Sequence, residues 1–223
     1  MRPSDPHLRI TIPIDFHPDS LRNDETVATA KGKAALAALW DVHTKLVQTA
    51  VQVQNKADLA KQVQPIASKA ITTMRREVQG LLAQEKHHDE EVHRALGSGI
   101  GQLEQEIRRH CKELPKAERL QFAREVLASG NEQAIKALAA VPNFLSGLKP
   151  EEWSLVREQA EQTIAPRAYA ERAAAQAAAD RCQRAADDFD GTMSANLSRW
   201  LSSDDQKVKD LVASLTKKGS NDD

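Results

Sequence analysis

The chain has 223 residues, and its 31 Lys and Arg nearly balance its 32 Asp and Glu, so there is no strong positive field to attract nucleic acid. Charged residues make up 28% of the chain and aromatic residues 4%, which favours long helices and bundles over a compact enzyme. No apolar run is long enough to span a membrane, and two cysteines, Cys111 and Cys182, match no metal or redox spacing. We therefore expect an all-α protein without a cofactor, located in the cytoplasm or in a particle assembled there.

Residues 1–22 are expected to form an extended arm. Apolar and other residues alternate strictly over 8–16, as on a strand with one buried face. Pro13 occupies one of the non-apolar positions and cannot donate a backbone hydrogen bond, which favours an edge strand that pairs with another chain. The alternative is an arm that lies on a helical surface without a strand ladder. In either case the contact residues are Leu8, Ile10, Ile12, Ile14 and Phe16.

Two long helices, paired as a hairpin or coiled coil, are predicted over 23–96. The first runs to about residue 63 and the second begins near residue 66, because Pro65 should end or kink the first helix. Apolar side chains recur at three- and four-residue steps and form two seams, which we expect to meet another chain, although pairing within the chain stays open. The seam residues are Leu39, Val42, Leu46, Val53, Met74, Val78 and Leu81.

A histidine-rich segment, QEKHHDEEVHR, lies over 84–94 near the end of the second helix. Glu85 with His88, and Glu90 with His93, have the Glu-x-x-His spacing of di-iron bundles. Those bundles take such pairs from different helices, whereas both pairs lie on one helix here. A solvated charged face is therefore the simpler interpretation. The alternatives are a metal-dependent enzyme that uses these four residues, adventitious or regulatory metal binding, or a polar break that makes helix pairing sensitive to pH.

A boundary is predicted at 97–101, where three glycines in five residues allow a sharp reversal. Residues 102–165 should then form a small bundle of short helices. Gly130 and Asn131 mark the end of one helix and the start of the next. A short apolar loop follows Pro142. The candidate contacts to a protein partner in this region are Phe144, Leu145 and Trp153.

The remaining part of the chain, 166–216, is predicted to form a long alanine-rich helix and a short C-terminal helix. Pro166 begins the long helix, Gly191 interrupts it, and Ser203 opens the short helix as the first residue of a capping box. The tail over 217–223 is expected to be disordered.

Three stretches within 114–152 resemble uncharacterised helical proteins encoded in the morphogenesis regions of tailed phages and prophages. They are LPKAERL at 114–120, NEQAIKAL at 131–138 and PNFLSGLKPEE at 142–152. The matching stretches contain no catalytic motif, so the resemblance transfers no functional residue. It implies a virion component or an assembly factor.

These observations predict a non-enzymatic structural or assembly protein that forms homo-oligomers through its helix seams and its arm. A bacteriophage head component or scaffold is the favoured case, with other virion proteins as partners. The alternative is a cytosolic helical adaptor or regulator that binds one protein partner through the region of Phe144 to Trp153. Nucleic acid is not expected as a partner, because the basic pairs are flanked by acidic residues and few aromatic side chains are available for stacking.

Overall fold

The computed structural model describes residues 16–21, 26–52 and 56–218, and for 51–52, 56 and 202–218 it describes the backbone alone. This part of the chain is all-α, as predicted, and contains no strand. None of its helices is apolar enough over a sufficient length to cross a membrane. The helices are α1 Val27–Gln52, α2 Lys56–Leu96, α3 Gln102–Glu113, α4 Arg119–Ala128, α5 Glu132–Ala139, α6 Asn143–Ser146, α7 Pro150–Ile164 and α8 Pro166–Lys218.

The chain divides into two compact units, one formed by 1–81 with 177–223 and the other by 82–176. The predicted boundary at 97–101 therefore lies inside the second unit. Helices α2 and α8 contribute residues to both units, whereas the sequence predicts each within a single domain. Periodicity along the chain identifies a helix, but unit membership depends on which helices pack together, and that information is not local.

The break between the first two helices does not occur at Pro65. Helix α1 ends at Gln52, and α2 begins at Lys56 and continues through Pro65. The proline ring is exposed, as is Lys61, whose carbonyl loses its usual hydrogen bond and can be hydrated instead. Val63 and Ala67 on either side of Pro65 are buried, so packing of this turn offsets the missing hydrogen bond.

The two predicted seams are covered by helices of the same chain. Leu39 of α1 and Met74 of α2 are buried, and together with Val42 they line one cleft between α1 and α2. Most of the described seam residues are therefore buried within the first unit. Val53 lies outside the described residues, and the other buried seam residues are Leu46, Val78 and Leu81.

Helix α8 completes the first unit. Arg75 of α2 forms ion pairs with Asp187 and Asp190 of α8, at N–O distances of 3.8 Å and 2.9 Å. Helix α1 approaches α8 closely, because Gly32 presents only a hydrogen atom toward Ala178. The large side chains that are fully buried in this unit are Leu36, Leu46, Leu59, Val63, Leu81, Phe189, Met193 and Trp200.

Helix α8 contains neither of its two predicted interruptions. It runs through Gly191 and Ser203, and Lys217 and Lys218 of the predicted tail belong to it; 219–223 lie outside the described residues. Gly191 is exposed, while Phe189 and Met193 beside it are buried. Burial of these two side chains outweighs the cost of about 1 kcal/mol that a glycine imposes on a helix interior.

The end of the predicted arm lies on α1. A short 3-10 turn, Pro18–Ser20, contacts α1, and the ring of His17 meets the ring of Trp40 edge-on, with the centroids 5.0 Å apart. Phe16 and Leu21 on either side of the turn are buried. Phe16 is the one residue of the alternating segment that the structure describes, so the choice between an edge strand and an arm without a strand ladder stays a prediction. The rest of the alternating segment lies outside the described residues, namely Leu8, Ile10, Ile12 and Ile14.

Helix α5 is central to the second unit, and it contacts α3, α4 and α7. Its start is capped as predicted, since Oδ1 of Asn131 accepts a hydrogen bond of 3.1 Å from the backbone N–H of Ala134. Its buried residues join two clusters. Ile135 and Ala139 pack with Val92, Leu96 and Ala160, whereas Leu138 packs with Cys111, Ala123, Leu148 and Val156.

Candidate protein-binding site

A groove of about 660 Å³ lies on the second unit, where α3, the end of α5 and the start of α6 meet the loop over 97–101, which we call the glycine loop. Its apolar lining comes from Ile100, Ala140, Val141, Pro142 and Leu145. Ile100 is 74% exposed and Leu145 is 40% exposed. The second unit buries two apolar clusters in its interior. The groove differs from them because its apolar side chains are open to solvent.

Arg108 fixes one wall of this groove. It lies on α3 and is buried, and its Nη1 donates to the carbonyl of Gly99 at 2.6 Å and to the carbonyl of Ala137 at 3.1 Å. The guanidinium thus joins the glycine loop to the last turn of α5, where a positive charge is favoured by the helix dipole. Gly99 has a φ of +58°, and a Cβ there would lie 3.1 Å from that of Ala140, so a glycine is required at this position.

Arg119 fixes the other end of the groove by holding α6. Its three guanidinium nitrogens donate to the carbonyls of Leu114, Gly147 and Lys112, at 3.0 Å, 2.8 Å and 2.7 Å. These bonds close the C-terminal end of α3 and attach the turn after α6 to it. Gly147 ends α6 in the left-handed conformation, with φ of +72°. The C-terminal flank of the single turn α6 is therefore held against the end of α3.

The structure separates the three predicted contact residues. Phe144 and Leu145 lie on α6, and Phe144 is 65% exposed. Trp153 does not share this surface. It is half-buried against the cluster that contains Leu148, and the guanidinium of Arg157 lies 5.2 Å from the centroid of its ring. Trp153 thus packs α7 onto this apolar cluster, because a large aromatic ring gains much by burial against its neighbours.

The remaining contributors to the groove were missed by sequence reasoning. Arg109 and Lys112 are exposed on α3, and Ile100 is an isolated apolar residue between two glycines. An apolar residue in such a loop belongs to no helical stripe, and this feature could have marked Ile100 as a candidate contact residue. The groove contains no carboxylate among the residues that line it, so its polar side is positively charged.

The first unit has a second cleft, of about 610 Å³, between α1 and α2. Its apolar walls combine four alanine side chains with Leu39, Val42, Ile66 and Met74. At one side, the Nζ of Lys31 lies 4.0 Å from a carboxylate oxygen of Glu77. This cleft offers apolar contact with few directional polar groups.

The four residues predicted as a possible metal cluster are not brought together. His93 turns its Nδ1 toward the backbone oxygen of Asp89 at 2.9 Å, and its Nε2 lies 2.7 Å from Nη2 of Arg157. Glu90 is exposed, and Glu85 is not among the residues that His88 meets. The four side chains therefore do not converge as a shared metal site of an enzyme would require.

A different set of three residues converges at the same turn, namely His87, His88 and Glu91. Nδ1 of His88 lies 2.8 Å from Oε2 of Glu91, and Nε2 of His87 lies 3.6 Å from Oε1 of the same carboxylate. The hydrogen bond with His88 is the main cause that lowers the pKa of Glu91. Only His88 is shared with the predicted cluster.

The chain matches no protein-family model, no curated protein and no solved structure. The resemblance of 114–152 to phage morphogenesis proteins therefore stays a prediction.

Proposed function

We propose that this chain is a non-enzymatic, protein-binding component of a larger assembly, and that its second unit binds an apolar segment of a partner that also carries acidic residues. The groove beside α6 carries this proposal, because exposed apolar side chains and two exposed cations lie together there. Ile100 and Leu145 supply the apolar surface, and Arg109 and Lys112 supply the charge.

The walls of the groove are held in place before any partner arrives. Arg108 and Arg119 each tie carbonyl groups from separate segments, so the loop and α6 are attached to α3. A preformed surface loses little conformational entropy on binding, which favours affinity. Phe144, next to Leu145 on the same turn, adds an exposed aromatic side chain of the kind that often dominates a protein interface.

A protein partner is favoured over nucleic acid. No aromatic ring lines the groove itself and the neighbouring Phe144 offers a single ring for stacking, while the lining presents two exposed cations beside a mainly apolar surface. An amphipathic helix with acidic residues along one edge would match both features, since its apolar face would fill the groove and its carboxylates would meet Arg109 and Lys112.

The setting that we propose is an assembly, with a bacteriophage head or scaffold as the specific prediction. The support is that α6 and its flanks fall within the residues that resemble phage morphogenesis proteins. The adaptor function, which was the alternative, uses the same surface through Phe144 and Leu145. Association through the helix seams is no longer part of the proposal, because the described seam residues other than Val42 are already buried within the first unit.

The test is photocrosslinking from α6, beside the groove, in cells that produce the full chain. A photoreactive phenylalanine analogue replaces Phe144, and a matched control carries it at Leu155, which is 52% exposed on α7 of the same unit. The crosslinked peptide is then identified by mass spectrometry. We expect a defined partner peptide with apolar and acidic residues from position 144 and none from position 155.

Charge reversal tests the same surface independently. The double variant Arg109→Glu/Lys112→Glu should abolish the crosslink from position 144 while helicity, measured by circular dichroism, is retained. Equal crosslinking from positions 144 and 155 would refute the proposal, as would a crosslink that survives the charge reversal. Recovery of RNA or DNA in place of a peptide would replace the protein partner with nucleic acid.

A further inference from the structure

The turn of α2 that carries His87, His88 and Glu91 brings three metal-ligating side chains together in the second unit. The ligand atoms of the three residues all lie within 4.8 Å of one another. Each oxygen of the Glu91 carboxylate faces a different imidazole, His87 at 3.6 Å and His88 at 2.8 Å. The cluster therefore consists of one carboxylate with an imidazole nitrogen on either side of it.

These separations are close to those of a coordinated metal. Zinc binds nitrogen and carboxylate oxygen at about 2.0–2.2 Å, which places two ligands of a tetrahedral site about 3.4 Å apart. The two observed distances to Glu91 lie on either side of that value. His87 and Glu91 are one helical turn apart, so their side chains lie on the same face of α2, and His87 is exposed enough to adjust by rotation of its side chain.

We propose that His87, His88 and Glu91 bind one divalent transition-metal ion, with zinc as the expected occupant. Two imidazoles with a single carboxylate suit zinc, copper, iron or nickel, whereas magnesium and calcium require oxygen ligands. Three protein ligands leave the fourth tetrahedral position for water or for a group from elsewhere. A bound ion would join successive turns of α2 and so stabilise that part of the helix.

The site is tested by calorimetric titration of zinc chloride into the full chain, prepared without a histidine tag and treated with a chelator. We expect one zinc ion per chain. His88→Gln and Glu91→Gln should each weaken binding by at least about tenfold, because even residues outside the ligand shell cost about 10–100-fold in metal affinity. Excess magnesium or calcium should not displace zinc.

Matched controls come from the same helix. His93→Gln and Glu90→Gln remove the same side-chain types at positions that the geometry leaves out of the cluster, and they should bind zinc as the unmodified chain does. Binding would also raise the unfolding temperature of the unmodified chain but not that of His88→Gln. The proposal is overturned if zinc does not bind saturably, if all four variants weaken it equally, or if His88→Gln and Glu91→Gln bind as tightly as the controls.

Discussion

The thiol of Cys182 shows how burial sets the chemistry of a single residue. It lies on α8 with its Sγ 3.7 Å from the carbonyl of Gly32, to which it donates a weak hydrogen bond. Burial raises the pKa of this thiol from 9.0 to about 11, and the negative charge of Glu77 adds to the shift. Cys111 is buried as well, and its pKa is raised for the same main reason. Neither cysteine is poised as a nucleophile, because the thiolate is the reactive form.

The raised pKa of Cys182 predicts a loss of stability in alkaline solution. In the unfolded chain the thiol loses its proton above its ordinary pKa of 9.0, whereas in the folded chain it keeps the proton up to a pH of about 11. The stabilisation is therefore fully present below about pH 9 and is lost as pH rises to about 11. One pKa unit corresponds to about 1.36 kcal/mol, so Cys182 accounts for up to about 3 kcal/mol over this window.

The measurement is the free energy of unfolding in urea at about pH 8 and about pH 11. The unmodified chain should lose more stability between the two values than Cys182→Ala, because lysine and tyrosine titrate equally in both proteins. An equal loss in the two proteins would show that the thiol is not ionised differently in the folded and unfolded states.

At the level of helices, Gly32 and Gly191 have opposite roles although both interrupt an apolar pattern. A Cβ built on Gly32 would lie 2.8 Å from the Cβ of Ala178 and 3.0 Å from Cδ1 of Leu21. A Cβ built on Gly191 would have no described atom within 4 Å. Gly32 thus permits close packing of α1 on α8, whereas Gly191 merely lowers the helix propensity of α8.

The two alanine substitutions should therefore change stability in opposite directions. Gly32→Ala should destabilise the chain by about 1–3 kcal/mol, the usual cost of forcing extra volume into a packed contact. Gly191→Ala should stabilise it by about 0.5–1 kcal/mol through helix propensity. Thermal and urea unfolding of both variants tests the pair. Stabilisation by Gly32→Ala would mean that α1 and α8 are not in close contact at this point.

The helices themselves were largely predictable from local signals. Asn131 caps α5, Gly130 has a φ of +67°, and Pro166 opens α8, each as the sequence indicated. The predictions failed at Pro65 and Gly191, where a local helix-breaking preference of about 1–3 kcal/mol was overcome by burial of neighbouring side chains. Local preference cannot report that burial, because the covering residues come from distant parts of the chain.

The groove was predictable only in part, for a related reason. Phe144 and Leu145 are apolar residues in a short loop after Pro142, and that pattern indicated contacts to a protein partner. The walls depend on Arg108, which reaches carbonyls of Gly99 and Ala137, and on Arg119, which reaches Gly147. An arginine that binds backbone oxygens leaves no trace in the identity of its acceptor residues, so no sequence pattern marks these contacts.

For the whole molecule, the division into two units predicts that 82–176 folds without the rest of the chain. Both apolar clusters of the second unit lie within this segment, including Val92 and Leu96 at the end of α2. An ionic network also closes inside it, because Arg172 donates to Asp89 at 2.7 Å and to the buried Glu161 at 2.5 Å. Every large buried contact that we describe for this unit is thus made by residues of the segment itself.

The expected result is a helical fragment that unfolds cooperatively on heating and keeps Cys111 unreactive toward a thiol reagent until it unfolds. The matched control is 102–165, the bundle that local patterns alone predict. It lacks Val92 and Leu96, so Ile135 and Ala139 would be uncovered, and it lacks Arg172, so the buried Glu161 would lose an ion-pair partner. It should therefore melt at lower temperature or without cooperativity. If the shorter fragment were as stable as the longer one, the ends of α2 and α8 would not belong to the second unit, and the division at 81/82 and 176/177 would be incorrect.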